Sequence, residues 1–279
     1  MNRLDKELVA RNLVESRTKA QELISSGGVL VNDKVQTKDS LLINIDDKIE
    51  IINAEALKYV SRGGFKLEKA INVFKLDFKE KVILDIGSST GGFTDCSLQN
   101  GAKRVVSVDV GTNVMHKNLR ENPKVELHEN TNIKDLPHDK FLGVDYIVCD
   151  VSFVSLEPIV EKISNENIYV DMICLIKPQF ECGRQIATKY GGVIKSKTIH
   201  KEVLNKVVKF FNKNNFYLNG LDFSPIKGGD GNIEYISHYS NKINENINVE
   251  IEKVVNVAFA QNVKWKVLKS IFLFLYIYI

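Results

Sequence analysis

A chain of 279 residues that is 44% hydrophobic and 26% charged, with five prolines, can bury a real core and is not a disordered polymer; its length suits one or two domains. Four dispersed cysteines (Cys96, Cys149, Cys174, Cys182), with no Cys-x-x-Cys pair, argue against a zinc ribbon or a disulfide scaffold and for a reduced, cytoplasmic setting without a metal. The net charge is only +3, but between Lys177 and Lys213 nine Lys/Arg face two acids, so that stretch is +7 and the remainder −4. Such a run reads either as a phosphate-neutralising surface or as a solvated helix face, since Lys201, Lys206, Lys209 and Lys213 lie near helical spacing.

The first sixty residues read as a small unit of two helices followed by strands. Leu4, Leu8, Val9 and Leu13 mark one amphipathic helix. Ser16 is placed to cap a second, through Ala20, Leu23 and Ile24, which Gly27-Gly28 would end. Val29 to Val31 and Val35 flank Asn32-Asp33-Lys34 as a hairpin, and Ile43, Ile45, Ile49, Ile51 and Ile52 supply further strand material. From about Gly63 helices and strands alternate. A helix through Leu67, Ala70, Ile71 and Phe74 precedes strands at Val82 to Ile86, Val105 to Val108, Tyr146 to Cys149, Met172 to Ile176, Tyr217 to Phe223 and Ile233 to Tyr239. Apolar strands separated by helices predict a doubly wound α/β domain on a parallel sheet, with an α+β appendage at its N-terminus. The boundaries expected are 1–60, 61–245 and a tail over 246–279, whose apolar end, Ser270 to Ile279, is shorter than the roughly 20 residues a membrane helix needs. The charged start, Met1 to Glu7, is unlike a secretory signal.

The loop Asp85-Ile86-Gly87-Ser88-Ser89-Thr90-Gly91-Gly92-Phe93-Thr94 joins the first of these strands to a helix. Its Gly-x-x-x-Gly-Gly spacing is not that of a pyrophosphate-wrapping turn, which weakens a nicotinamide dehydrogenase reading. An acid two residues before the first glycine repels a diphosphate and suits a cationic or amino-acid ligand, the character of S-adenosylmethionine. Asp109, 24 residues beyond Asp85, ends the next strand, where a carboxylate can hold a ribose diol. The alternative is a plain strand–helix turn with an unrelated aspartate.

Asp150 and Lys177 each follow a strand directly, Glu234 leads into the last strand, and Lys66 begins the first helix of the domain. In open α/β sheets the carboxyl ends of strands line the ligand crevice, so these groups are expected beside the glycine loop. Taken singly, each reads as a surface residue or a helix cap, Asp150 for a helix over Ser152 to Ile163. Together they suit methyl transfer to a ribose 2′-hydroxyl, which must be oriented and lose a proton: a lysine held between carboxylates can do both.

Five stretches carry a resemblance: Tyr59-Val60-Ser61-Arg62-Gly63-Gly64-Phe65-Lys66-Leu67, Leu84 to Cys96, Cys149-Asp150-Val151-Ser152-Phe153-Val154-Ser155, Ile176-Lys177-Pro178-Gln179-Phe180-Glu181 and Gly231-Asn232-Ile233-Glu234-Tyr235. In this order the chain resembles, over residues 2 to 240, the TlyA or haemolysin A family, which joins an S4-like RNA-binding domain to an FtsJ-like methyltransferase domain. The resemblance implies 2′-O-methylation of ribosomal RNA, free or in ribosomal subunits, with S-adenosylmethionine as donor and Lys66, Asp150, Lys177 and Glu234 as a catalytic tetrad. It places the cofactor on Asp85, Gly87, Ser88, Ser89, Gly91, Gly92, Phe93, Thr94 and Asp109, with Asn132 and Ile133 on the adenine side. Arg3, Arg17 and Lys19 correspond to RNA-binding positions, and Arg62, Arg184 and Lys189 extend that set. Residues 1 to 60 hold nine bases and ten acids, so RNA affinity there must come from a local face. Two rival readings remain, a membrane-active haemolysin and an RNA-binding assembly factor without catalysis.

Overall fold

The computed structural model describes residues 1–53, 57–242 and 249–261. The chain divides into two compact units, residues 1–62 and residues from 63 onward.

In the first unit, β1 (Asn2–Arg3) leads into α1 (Leu4–Ala10) and α2 (Arg17–Ser25), followed by β2 (Val29–Val31), β3 (Lys34–Gln36), β4 (Leu42–Ile43) and β5 (Ile49–Ile51). β1 pairs with β4, and β2 lies between β3 and β5, all antiparallel. Ser16 caps α2 by accepting from the Lys19 N–H at 3.3 Å, and Gly27, at φ +75°, closes its far end. α1 stops before its apolar spacing does: Asn12 turns left-handed (φ 55°) and the Leu13 N–H closes on the Leu8 carbonyl, so Leu13 packs on the core from outside the helix. Asn32 and Asp33 both take positive φ, forming the two-residue turn that matches strand twist. Ile45, expected in a strand, stands 82% exposed in the turn after β4. The core gathers Leu4, Leu8, Ala20, Leu23, Ile24, Val29 and Ile43.

The second unit runs α3 (Gly63–Phe74), β6 (Val82–Ile86), α4 (Gly92–Gln99), β7 (Arg104–Val108), α5 (Lys117–Arg120), β8 (Val125–His128), β9 (Tyr146–Cys149), α6 (Glu157–Asn165), β10 (Asp171–Ile176), α7 (Pro178–Glu181), α8 (Arg184–Lys189), α9 (Lys197–Lys213), β11 (Tyr217–Phe223) and β12 (Tyr235–Ser240). A further helix covers 251–261. The seven strands lie in the order β11-β12-β10-β9-β6-β7-β8. Both faces are covered: Met172, Cys174 and Ile176 of β10 join the core that includes Val203, Val207 and Phe211 of α9, while Ile173 and Leu175, on the opposite face, are buried as well.

Two expectations need correction. The sheet is not wholly parallel, because β12 runs antiparallel to both β10 and β11. The segment 224–234 is too short to hold a crossover helix, so the chain must turn straight back. β8 went unseen because Val125–His128 is a half-buried edge strand whose Glu126 pairs with Arg104 and Lys140 rather than filling a core. The helix over 251–261 falls in the stretch expected to be a tail. It buries Val255 and Ala258 and sets Phe259 edge-on to His200, ring centroids 4.9 Å apart. The apolar run 270–279 lies outside the described residues.

Candidate active site

Strand direction decides which residues meet. β6, β9 and β10 are parallel neighbours, so the residues that follow them, Gly87, Asp150 and Lys177, emerge along one edge of the sheet. β12 runs the other way, which brings its first residues to that same edge: Ile176 pairs with Tyr235, so Lys177 and Glu234 stand side by side. The strand order reverses between β6 and β9, the place at which open α/β sheets take their ligands.

Here four side chains form an unbroken chain of alternating charge. Lys66 Nζ, from the first turn of α3, donates to Glu234 Oε2 at 2.7 Å and to Asp150 Oδ2 at 3.3 Å. Lys177 Nζ approaches Asp150 Oδ1 to 2.6 Å, an ion pair off the hydrogen-bonding axis, and donates to Ser152 Oγ at 2.9 Å. Lys66, Lys177 and Glu234 are buried. Two cations facing two anions cancel, which makes so much buried charge tolerable. Burial would raise the Asp150 carboxyl, but Lys66 and Lys177 outweigh it and hold it below the ordinary carboxylate range. Burial likewise opposes the Lys66 charge, yet Asp150 and Glu234 prevail and raise its pKa, so Lys66 stays an ammonium.

The glycine loop sits against this cluster, the Asp150 N–H donating to the Ile86 carbonyl at 3.2 Å. Its glycines serve the chain itself first. Gly87 and Gly91 have φ of +79° and +96°, and a Cβ would stand 2.9 Å from Val151 Cγ1 at the first and 2.3 Å from Leu119 Cδ1 at the second. Asp85 is fully buried, and its Oδ2 accepts from the Thr94 hydroxyl at 2.6 Å. Burial, reinforced by nearby Asp150, pushes the Asp85 carboxyl up to about 7 despite that bond. Among the described residues, Asp85 Oδ1 and the Ser88 hydroxyl are buried without hydrogen-bond partners. Unsatisfied polar atoms in such a crevice fit a ligand that brings its own donors, such as an amine.

Gly92, Phe93 and Thr94 open α4 and are buried. Ser89 donates its N–H to Asp109 Oδ2 at 2.8 Å, while Gly111 donates to Oδ1 at 2.6 Å. The Asp109 carboxylate is thus aimed by backbone amides, with lone pairs remaining on both oxygens. Asn132 caps the following turn through the Lys134 N–H (3.0 Å), and Ile133 lies in the main core.

Arg3 and Arg17 converge on the buried Asp5. Arg3 donates to both its oxygens at 3.0 Å, and Arg17 Nε donates to Oδ2 at 2.8 Å, so part of both guanidinium charges is answered within the first unit. Lys19 donates to the Tyr59 carbonyl, and Lys19 and Arg62 both act on the half-buried Glu22. Arg184 and Lys189, on α8 of the second unit, are exposed and make no ion pair among the described residues.

Three neighbours of the cluster were not assigned from sequence. Ser152 holds Lys177, Gly228 leaves room for Glu234, whose Oε1 would lie 2.5 Å from a Cβ there, and Phe153, 86% exposed at φ +66°, sets its ring 5.0 Å from that of Phe180. Ser152 and Phe153 stand in a motif already noted beside Asp150, which was the available signal. Gly228 lies outside every motif.

A mostly parallel seven-stranded sheet, reversed between β6 and β9 and closed by an antiparallel strand, with a glycine turn and gathered charges at one edge, defines a Rossmann-like methyltransferase fold. Residues 59–240 match the FtsJ-like methyltransferase family and residues 2–49 match the S4 domain. The chain belongs to the FtsJ-like methyltransferase family, in its TlyA or haemolysin A branch, with an S4 domain at its N-terminus. It is 41% identical over 240 residues to Hemolysin A of Brachyspira hyodysenteriae, covering 85% of this chain and 99% of that one. It is 36% identical over 248 residues to the 23S rRNA (cytidine-2′-O)-methyltransferase TlyA of Campylobacter jejuni, covering 83% and 96%. A solved structure from Streptococcus thermophilus, assigned as a hemolysin, superposes with a TM-score of 0.75 at 36% identity, covering 95% and 98%. Among the described residues no helix is long and apolar enough to cross a membrane, and no group of three His, Cys, Asp or Glu side chains could hold a metal ion.

Proposed function

We propose that the protein is a cytoplasmic S-adenosylmethionine-dependent methyltransferase that modifies ribose 2′-hydroxyls of ribosomal RNA, with Lys66, Asp150, Lys177 and Glu234 as its catalytic set. The observation that carries this reading is the alternation Glu234–Lys66–Asp150–Lys177, with every link within 3.3 Å, at the crevice beside the glycine turn. The Campylobacter relative is named for ribosomal cytidine, and cytidine is the expected target class here.

When bound, S-adenosylmethionine supplies an electrophilic methyl group. Asp85, Gly87 to Thr94 and Asp109 would hold it, with Asn132 and Ile133 towards the adenine. The orphaned Asp85 Oδ1 suits an amine, and the free lone pairs of Asp109 suit a ribose diol.

The remaining work belongs to side chains of this protein. Lys177 can serve as the base only after releasing to solvent the proton it carries in the resting cluster; its Nζ then accepts the proton of the 2′-hydroxyl, and Asp150 at 2.6 Å stabilises the ammonium that re-forms. Lys66, held charged by Glu234 and Asp150, is unsuited to be the base. It orients the ribose or its phosphate and stabilises negative charge developing on the sugar oxygen. The Phe153–Phe180 pair beside Lys177 offers an exposed aromatic face on which an unstacked base can rest. Recognition of structured RNA is assigned to the S4 unit and to the basic α8.

Lys177→Ala tests the reading. Methyl transfer to ribosomal RNA should fall by roughly 10²- to 10⁴-fold, with RNA affinity within about twofold of wild type. A wild-type rate in that variant removes Lys177 from the catalytic set. Mass-spectrometric mapping of ribosomal RNA with and without the protein should show a 2′-O-methyl ribose, and a methylated base in its place would redirect the chemistry. If wild type leaves the RNA unmethylated while binding it, the protein is the non-catalytic assembly factor instead.

A further inference from the structure

The residues on either side of Glu234 are fastened to one and the same stretch of backbone. Asn232, buried, uses both ends of its amide there: Nδ2 donates to the Gly192 carbonyl at 2.8 Å, and Oδ1 accepts from the Ile194 N–H at 3.0 Å. Tyr235 reaches the same stretch through His200. His200 Nε2 lies 3.0 Å from the Ile194 carbonyl, which can only accept, so Nε2 carries the proton and Nδ1 accepts from the Tyr235 hydroxyl at 2.7 Å. His200, Tyr235 and Ile194 are all buried, and burial lowers the His200 pKa, which keeps the neutral imidazole this arrangement requires.

On the inner side a tight turn closes against the carboxylate. The Gly228 N–H donates to the Asn232 carbonyl at 3.0 Å and the Gly231 N–H to the Gly228 carbonyl at 2.9 Å. The Glu234 carboxylate is then left to meet Lys66, and the backbone on its two sides sets where that meeting happens. The clamped stretch continues from α8 through Gly191 and Gly192, both at positive φ, so it also links the exposed Arg184 and Lys189 to the site.

We propose that Asn232 and His200 are positioning residues for methyl transfer, a two-sided clamp that holds the chain around Glu234 against residues 192–194 so that its carboxylate engages Lys66. This rests on Glu234 belonging to the catalytic set. Lys66 faces Asp150 from the end of β9 and Glu234 from the start of β12, with Lys177 across Asp150 from the end of β10. A displaced Glu234 therefore removes one of the two anions that keep Lys66 charged.

Full-length Asn232→Ala and His200→Phe are compared with wild type for kcat, for KM of ribosomal RNA, for calorimetric Kd of S-adenosylmethionine, for melting temperature and for the pH–rate profile. Each variant should lose roughly 10- to 100-fold in kcat, with KM and Kd within about twofold and the alkaline limb of the profile moved to lower pH. A kcat near wild type, a loss with the limb unmoved, or a loss in only one variant overturns the clamp. Melting of both variants below the assay temperature overturns it too, since the pair would then be holding the fold and not the carboxylate. Glu234→Gln separates this from the parent reading. If that variant keeps the wild-type rate the catalytic set is wrong, and if it alone is slowed only the clamp fails.

Discussion

A carboxyl sealed inside a protein without a cation must choose between charge and burial, and Asp85 is such a group. Its pKa rises from 3.8 to about 7 because burial outweighs the Thr94 hydrogen bond. The folded chain therefore keeps a proton that the unfolded chain releases between about pH 4 and pH 7, and stability should fall as the pH rises through that window. A shift of this size corresponds to on the order of 4 kcal/mol. Thermal melts of wild type and Asp85→Asn across that range should diverge, the variant losing less stability towards pH 7; parallel curves would show that Asp85 ionises without penalty. The sequence had assigned Asp85 and Asp109 to a ligand. Their place at strand ends was legible, because a strand followed by a glycine turn announces itself. What the string could not show was that Asp85 shares its carboxylate with Thr94, or that Ser89 and Gly111 already aim Asp109. Those partners come from the path of the backbone and not from spacing.

At the level of elements, apolar runs identified β6, β7, β9 and β10, and hence the edge where their following residues gather; α5 went unseen, and the helix expected from Ser152 begins only at Glu157. That Lys66, Asp150, Lys177 and Glu234 meet, the juxtaposition on which the proposed catalytic set rests, was legible for the same reason: three of the four sit one residue from a strand. The direction of β12 was not legible, since an apolar run looks alike read either way, yet only its antiparallel course brings Glu234 to Lys177. Gly91 illustrates how elements constrain one another. It caps α4 at φ +96°, and a Cβ would collide with Leu119 of α5 and, at 2.8 Å, with Met115 Sδ. Leu119 has little room to yield, because Glu129 accepts from Arg120 and from the N–H groups of Asn113 and Val114, pinning the segment that carries it. Gly143 provides the contrast: its φ of +73° is also left-handed, but among the described residues nothing lies within 4 Å of its would-be Cβ. Gly143→Ala should cost about 1–2 kcal/mol of backbone strain alone. Gly91→Ala should cost about 2–5 kcal/mol in a urea titration, strain and overpacking together, and weaken S-adenosylmethionine binding. Equal losses in the two variants would show that α5 gives way freely.

Across the whole molecule, charge is sorted rather than spread. The +7 stretch offered two readings, and the structure shows part of it paired within the protein and part of it exposed. Lys177 is consumed in the crevice, while Lys201 and Lys206 pair with Glu252 and Glu157 and Lys197 donates to Asn256, as a solvated helix face does. Arg184, Lys189 and Lys195 stay exposed close in sequence to that crevice, and Lys209 and Lys213 stay exposed on α9. The first unit is arranged differently: its Arg3 and Arg17, proposed above as RNA-binding positions, are held by a buried Asp5, which fixes their geometry and reduces their net charge. Counterion release then predicts a division of labour. Each phosphate contact contributes about 0.7–0.9 to the slope of log K against log salt, so an Arg184→Ala, Lys189→Ala double variant should lower the magnitude of that slope for ribosomal RNA by about 1.4–1.8. Because neither residue approaches the glycine turn in sequence, affinity for S-adenosylmethionine should stay within about twofold of wild type. Fluorescence titrations of RNA at several salt concentrations, paired with calorimetry on the cofactor, measure both quantities on one preparation. An unchanged slope would mean that α8 faces solvent and that the S4 unit carries the electrostatic grip by itself, leaving the basic run as decoration on a helix that must stay wet.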